Sequence, residues 1–168
     1  DNYYITGDNV RISRDTDGAF LVDVLGRSKT TEKLKNGKWI HKESLEDFYR
    51  QDDKVRYILL TVHRRESIVA VVDPVAHTQD EGAREAAAAE LLGRLRARAV
   101  AFGKPEHEQV AAVVLAKTPW VLGRQLNGTY KLCRPAIHKQ YEPELGRAYA
   151  SLELAAARAP LEAGYAQG

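Results

Sequence analysis

The sequence has a single cysteine and no methionine among its 168 residues. Because Cys133 has no possible partner within the chain, an intrachain disulfide framework and a cysteine-based zinc site are both excluded. Small secreted proteins usually carry several cysteines, so the single one favours a reducing compartment, and we predict a cytoplasmic location. The absence of methionine, even at the first position, is consistent with a domain excised from a larger protein.

Long apolar runs are also missing. No segment approaches the roughly 18 consecutive apolar residues that a membrane-spanning helix needs, and residues 1–15 lack the basic and apolar segments of a signal peptide. We therefore expect no membrane partner. Hydrophobic residues make up 44% of the chain and charged residues 29%, which is typical of a globular protein. The length fits one domain.

The signatures of several enzyme classes are absent as well. The chain has no glycine-rich phosphate loop, no G-x-S-x-G turn and no paired His or Cys pattern for a metal. We therefore predict no metal site and no cofactor, and favour a binding domain over an enzyme. Two nuclease alternatives stay open. One uses Asp23 with Asp52 and Asp53 as metal ligands, and the other uses the cluster 63–66 (HRRE) as acid, base and phosphate-holding groups.

The first 75 residues have the pattern of strands separated by turns. We expect strands at Tyr3–Thr6 and Val10–Ser13 around a turn at 7–9, and an apolar strand at 19–25 after a turn at 15–18. Ser44 is a candidate N-cap for a short helix at 45–51. The apolar, β-branched runs Tyr57–His63 and Ile68–Val72 predict adjacent antiparallel strands.

The second half has the pattern of helices. Thr78 and Glu81 have capping-box spacing before a helix that ends near Phe102 at Gly103. Further helices are expected from Pro105 to Lys117 and from 143 to 158, with a hairpin at Asn127-Gly128 between them. The sequence thus predicts one α+β domain over residues 1–160. Its antiparallel sheet comes mainly from strand-rich residues 1–75, helices from residues 78–158 pack on it, and 161–168 form a frayed tail.

The net charge of +2 conceals a strong segregation of charge. Residues 26–42 contain six basic residues against Glu32 alone, namely Arg27, Lys29, Lys33, Lys35, Lys38 and Lys42. Residues 43–53 are acidic, with five carboxylates against Arg50. From 109 to 141 there is no carboxylate at all, and the aromatic residues Trp120, Tyr130 and Tyr141 are interleaved with five basic residues.

The first basic stretch contains Asn36-Gly37, the strongest short-range signal for a two-residue type I′ hairpin. With that loop, Lys35 would pair with Lys38, and Leu34 with Trp39. Strand alternation then places Leu34 and Trp39 on one face and four lysines on the other, namely Lys33, Lys35, Lys38 and Lys42. Opposed lysines destabilise a hairpin slightly, and a polyanion on that face would relieve the repulsion.

These patterns favour a nucleic-acid-binding domain that contacts the phosphate backbone through the hairpin and the acid-free region. The expected contacts are Lys33, Lys35, Lys38, Lys42, Arg124 and Lys131. The alternative is a protein–protein interaction or regulatory module of a larger multidomain protein, because the adjacent basic and acidic segments suit a partner of complementary charge. Lysines that merely keep a solvated hairpin edge from pairing would give the same pattern.

Overall fold

The computed structural model describes residues 6–27, 30–62 and 65–165. A central three-stranded sheet has helices on both faces, and two small hairpins precede it. The α+β class is confirmed: antiparallel pairs come from the N-terminal half, and most of the helical residues lie in the second half. Within the described residues, no helix is both long and apolar enough to cross a membrane.

The first hairpin is a two-stranded ribbon of β1 (Asp8–Arg14) and β2 (Phe20–Arg27). The expected turn at 15–18 is present: Asp15 Oδ1 accepts hydrogen bonds from the backbone N–H groups of Asp17 and Ala19. The expected turn at 7–9 is wrong, because β1 already begins at Asp8. Most of the strand predicted at 3–6 lies outside the described residues.

The second hairpin pairs β3 (Thr31–Lys33) with β4 (Trp39–His41), and its register differs from the predicted one by one residue. Lys33 faces Trp39 because the loop has three residues and ends at Gly37, whose φ is +87°. A type I turn with a left-handed glycine replaces the expected type I′ turn. A one-residue shift exchanges the faces of a strand, so Trp39 is exposed and Ile40 is buried.

Helix α1 (Lys42–Tyr49) follows β4 directly. It begins three residues before position 45, the start predicted from an N-cap at Ser44. It leads into the central sheet, whose strands β5 (Val55–Thr61), β6 (Ile68–Pro74) and β7 (Val110–Leu115) lie in that order. The antiparallel pairing of β5 with β6 confirms the prediction. Helix α2 (Glu81–Ala101) connects β6 to β7; its N-cap is Asp80 rather than Thr78, and Gly103 follows its end with φ +66°.

The helix expected from Pro105 to Lys117 is wrong. Only Glu106–Glu108 form a short 3₁₀ turn, and β7 then runs parallel to β6. The hairpin expected at Asn127-Gly128 is instead a compact loop with isolated bridges. Helix α3 (Arg134–Gln140) was not predicted, and α4 (Glu142–Tyr165) continues past Pro160, which was expected to end it.

The core has two layers, one on each face of the central sheet. Side chains of α1, α2 and the second hairpin cover one face, and α3, α4 and the loop at Trp120 cover the other. Every residue of β6 is buried because this strand lies between its two neighbours under both layers. Continuous burial of this kind explains why Ile68–Val72 is apolar without alternation.

Candidate functional site

The acid-free stretch contributes to a pocket of about 530 Å³ between α1, the start of β5 and the loop before α3. Its lining combines carboxylates of α1 with cations of the acid-free stretch, which the sequence places far apart. The lining residues are Glu43, Glu46, Asp47, Arg50, Tyr57, Ile58, Asn127, Tyr130, Lys131, Leu132 and Arg134. Among the six lysines and arginines predicted as binding residues, Lys131 is the one that lines this pocket.

Lys131 is held at the end of a tightly closed loop. The backbone N–H of Asn127 donates to the Lys131 carbonyl oxygen at 2.9 Å, and the Lys131 N–H donates back to Asn127 Oδ1 at 2.9 Å. The same Oδ1 accepts from the N–H and the hydroxyl of Thr129. One side chain therefore fixes the backbone from which Lys131 projects.

Tyr130, next to Lys131, has a φ of 59°, a left-handed conformation that is rare for a bulky residue. Its N–H donates to the Asn127 carbonyl oxygen at 2.9 Å, and its side chain stays 61% exposed. Strain of about 1–3 kcal/mol persists only where surrounding contacts enforce it, and it clusters at functional sites. The exposed, strained Tyr130 makes this loop a candidate functional element.

Most charges of the pocket are already paired. Arg50 donates to Asp47 at 3.0 Å, and Arg134 contacts Glu46 through both terminal nitrogens at 2.7 and 2.6 Å. Across the described part of the chain, no ion pair involves Lys131 or Glu43. The ammonium group of Lys131 is thus the cation left available to an anionic ligand at this pocket.

Glu46 is the structural centre of the site. Its side chain is almost fully buried, and it also accepts the N–H of Leu60 at 2.9 Å on the free edge of β5. Burial raises the pKa of Glu46 above its ordinary value, and the Arg134 guanidinium and the Leu60 N–H oppose that rise. This carboxylate joins α1, β5 and α3, and the last of these follows the Lys131 loop.

A second set of hydrogen bonds supports the loop from the opposite side. Asp73, fully buried at the end of β6, accepts the backbone N–H of Trp120 at 3.2 Å and contacts His77 Nε2 at 2.7 Å. The Trp120 indole N–H donates to Tyr141 at 3.2 Å, and its ring stacks on Tyr57. Burial raises the pKa of Tyr141. The loop at 120–133 is therefore anchored to the sheet and to the end of α3.

The predicted four-lysine face of the second hairpin is wrong. Lys42 is only 9% exposed and pairs with Glu32. The Nζ of Lys35 lies 3.4 Å from Oε1 of Glu66. The ammonium group of Lys33 lies over the ring of Trp39. Lys38 lines a separate pocket of about 620 Å³, and the exposed Arg124 lies in the turn before Gln125. Lys42 and Arg134, one from each basic stretch, line a third pocket of about 310 Å³. Both are paired with carboxylates, Lys42 with Glu32 and Arg134 with Glu46.

The nuclease alternatives gain no support from the described residues. Asp52 and Asp53 both accept hydrogen bonds from Arg94, and Asp23 lies on the exposed ribbon. His63 and Arg64 lie outside the described residues. No group of three or more His, Cys, Asp or Glu side chains there could hold a metal ion.

The sequence interpretation did not assign Glu46, Arg134, Asn127 or Asp73 to a site, and Asn127 entered it only as a turn residue. One signal was available for Asp73, a single carboxylate at the end of an entirely apolar strand. Another was Arg134 directly before Pro135, since proline favours the first turn of a helix and α3 begins there. Glu46 carried no signal, because nothing in an acidic stretch tells which carboxylate becomes buried.

Among the solved structures that resemble this chain over most of its length are three from carboxylic acid reductases. The A domain of carboxylic acid reductase from Segniliparus rugosus, in complex with AMP and a co-purified carboxylic acid, has a TM-score of 0.72 at 25% identity. This match covers 89% of the present chain and 23% of the reductase chain. The A-PCP didomain of carboxylic acid reductase from the same organism, in complex with AMP, has a TM-score of 0.73 at 26% identity, covering 92% and 21%.

The third structure is the adenylation domain of a carboxylate reductase from Mycobacterium chelonae, with a TM-score of 0.67 at 26% identity, covering 88% and 23%. The present chain thus spans less than a quarter of each of these structures. No protein-family model matches the sequence. No curated protein matches it significantly either.

These similarities contradict the prediction of a nucleic-acid-binding or DNA-binding domain, because the similar structures are adenylation domains. The alternative prediction, a module of a larger multidomain protein, agrees with them better, since each similar chain is far longer than this one. A charged hairpin was mistaken for a polyanion-binding surface because the pairing of Lys42 with Glu32 and of Lys35 with Glu66 becomes visible only in the folded chain.

Proposed function

We propose that this chain is part of a larger enzyme that activates a carboxylic acid as its acyl adenylate. The observation that carries the proposal is the similarity to adenylation domains of carboxylic acid reductases, over about nine-tenths of the chain at 25–26% identity. One of those structures holds AMP together with a carboxylic acid, the two parts of an acyl adenylate.

In this reaction a carboxylate oxygen attacks the α-phosphorus of ATP and forms a new P–O bond. The bond between the α-phosphorus and the leaving pyrophosphate breaks, so acyl adenylate and pyrophosphate are the products. Two anions approach each other, and negative charge grows on the leaving group. A fixed cation that contacts these groups in the transition state would accelerate the step.

Lys131 is the group that this chain would contribute. Its backbone is fixed by Asn127, its neighbour Tyr130 is strained and exposed, and no ion pair among the described residues occupies its ammonium group. These features suit a cation that must reach an anion lying outside this chain. The remaining binding groups for nucleotide and acid would come from the larger part of the enzyme, which is the protein partner in this proposal.

The cytoplasmic location predicted from the single cysteine stays a prediction. It agrees with a reaction that consumes ATP, which cells keep at high concentration in the cytoplasm. Localising the tagged full-length protein by fractionation would check it.

The test uses the full-length polypeptide that contains this chain. Pyrophosphate release is measured with ATP and a panel of aromatic and aliphatic carboxylic acids. We expect release that requires one class of acid, and Lys131→Ala should lower it about 10²- to 10³-fold, as for other preorganised charge-stabilising groups.

The matched control is Arg124→Ala, which removes an exposed cation of the same loop that does not line the pocket. Arg124→Ala should leave the rate within twofold. Release with no dependence on any acid would contradict the proposal, and so would a Lys131→Ala enzyme as fast as wild type.

A further inference from the structure

The ribbon of β1 and β2 has one face made almost entirely of exposed apolar side chains. Direct cross-strand partners share a face, and the register pairs Val10 with Val24 and Ile12 with Val22. At the end of the ribbon, Phe20 lies opposite Arg14, whose guanidinium sits 4.4 Å from the ring centre. The exposed fractions of the five apolar residues are 47% for Val10, 63% for Ile12, 67% for Phe20, 60% for Val22 and 68% for Val24.

The opposite face is mainly polar. Arg11 lies opposite Asp23, and Ser13 lies opposite Leu21. The two faces therefore differ in the way expected of a sheet that covers a core on one side only. Among the residues whose side chains are described, the apolar side meets no such core, because β1 and β2 pair with each other and the five apolar residues of this face belong to neither core cluster.

An isolated two-stranded ribbon is marginally stable in water, and its stability requires burial of an apolar face. Single exposed apolar residues are common, but a contiguous stripe marks an interaction surface. Removal of apolar surface from water contributes about 25 cal/mol of free energy per Å², so covering five such side chains stabilises the covered state substantially. The ribbon is therefore stabilised when another apolar surface covers this face.

We infer that the apolar face of the ribbon docks against the larger part of the same polypeptide, on an apolar surface of that part. This inference rests on the proposed function, because the similar adenylation structures contain the present fold as only 21–23% of their chains. Such a chain supplies a large covalently attached body at high effective concentration. A second copy of this chain would have to find the face by diffusion.

The test compares amide hydrogen exchange of β1 and β2 in the 168-residue chain alone with that in the full-length polypeptide. We expect exchange at least tenfold slower in the full-length protein. The double variant Ile12→Thr/Val22→Thr keeps β-branched side chains but places hydroxyl groups at the centre of the face, and it should abolish this protection.

Leu21→Thr makes the same kind of change on the opposite face and should preserve the protection. Val24→Thr is a milder, single change on the apolar face and should reduce the protection only partly. It tests the docking even if the double variant unfolds the ribbon. Equal exchange in both proteins would overturn the inference. So would sedimentation that shows the full-length polypeptide forming a dimer that Ile12→Thr/Val22→Thr abolishes.

Pyrophosphate release measured on the same preparations separates the two proposals. A full-length enzyme that releases pyrophosphate with a carboxylic acid but leaves the ribbon unprotected disproves the docking alone. A protected ribbon in a protein without acid-dependent release disproves the adenylation proposal and retains the docked surface.

Discussion

Arg134 and Glu46 are 88 positions apart in the sequence and meet in a two-pronged salt bridge, with Nη1–Oε1 and Nη2–Oε2 distances of 2.7 and 2.6 Å. The pair joins α1 to the first turn of α3, directly after the Lys131 loop. Glu46 also accepts the N–H of Leu60, so a third element, β5, depends on the same carboxylate. The position of the candidate site thus depends on the ion pair between buried Glu46 and partly buried Arg134.

Arg134→Ala should lower the free energy of unfolding by about 3–5 kcal/mol, because the carboxylate of Glu46 would stay buried without its main cation. Urea unfolding at pH 7 measures the loss. Arg147→Ala, which removes an exposed arginine 3.9 Å from Glu144, is the control and should cost less than about 1 kcal/mol. Adding Glu46→Gln to Arg134→Ala should restore part of the stability; no restoration would refute the buried-charge explanation.

Asn127→Ala removes the Oδ1 that accepts the N–H groups of Thr129 and Lys131. We expect a loss of stability of about 1 kcal/mol and a fall in pyrophosphate release, on the order of tenfold, that exceeds this effect, because Lys131 loses its fixed backbone. Asn127→Asp keeps the acceptor oxygen and should retain most of the activity. Gly128→Ala meets no atom within 4 Å and serves as the neutral control. Equal activity of Asn127→Ala and wild type would remove Asn127 from its positioning role.

Two glycines, one inside α2 and one just after its end, should respond in opposite directions to the same substitution. Gly93 lies in the helix interior with open space around it, so Gly93→Ala should stabilise the protein by about 0.5–1 kcal/mol. Gly103 follows the helix with φ +66°, so Gly103→Ala should destabilise it by about 1 kcal/mol. Thermal unfolding of both variants provides the measurement. A change of the same sign in both would contradict these backbone assignments.

Local signals predicted the fold where one strong pattern governed a segment. The turn at Asp15–Gly18, the pairing of β5 with β6 and the stop of α2 at Gly103 are confirmed. β7 was missed because Pro105 was interpreted as a helix start, whereas the short β-branched run at 110–115 completes a parallel pair with β6. Short apolar runs of this kind fit helix and strand equally well until their neighbours are known.

The site was only partly predictable for a related reason. Lys131 stood out because it lies in a stretch without carboxylates, and it does line the pocket. Lys42 stood out because its stretch has six basic residues against Glu32 alone, yet that one carboxylate neutralises Lys42 once β3 and α1 are adjacent. Sequence composition gives the sign of a charge, but the partner of that charge is set by the register of the hairpin and by tertiary contacts.

The last prediction concerns alkaline pH and Tyr49. Its hydroxyl donates to the Glu108 carbonyl oxygen at 2.8 Å, and burial raises the pKa of Tyr49 from 10 to about 12. Because the folded pKa exceeds the unfolded one, this contribution to stability is complete below pH 10 and is lost as the pH rises through 12. The free energy of unfolding should therefore fall more steeply between pH 10 and 12 in wild type than in Tyr49→Phe, at up to about 1.4 kcal/mol per pH unit. Urea titrations of both proteins across that range measure the difference. Tyr141 and Tyr149 also have raised pKa values, but both variants retain them, so parallel curves would show that Tyr49 ionises equally in the folded and unfolded states.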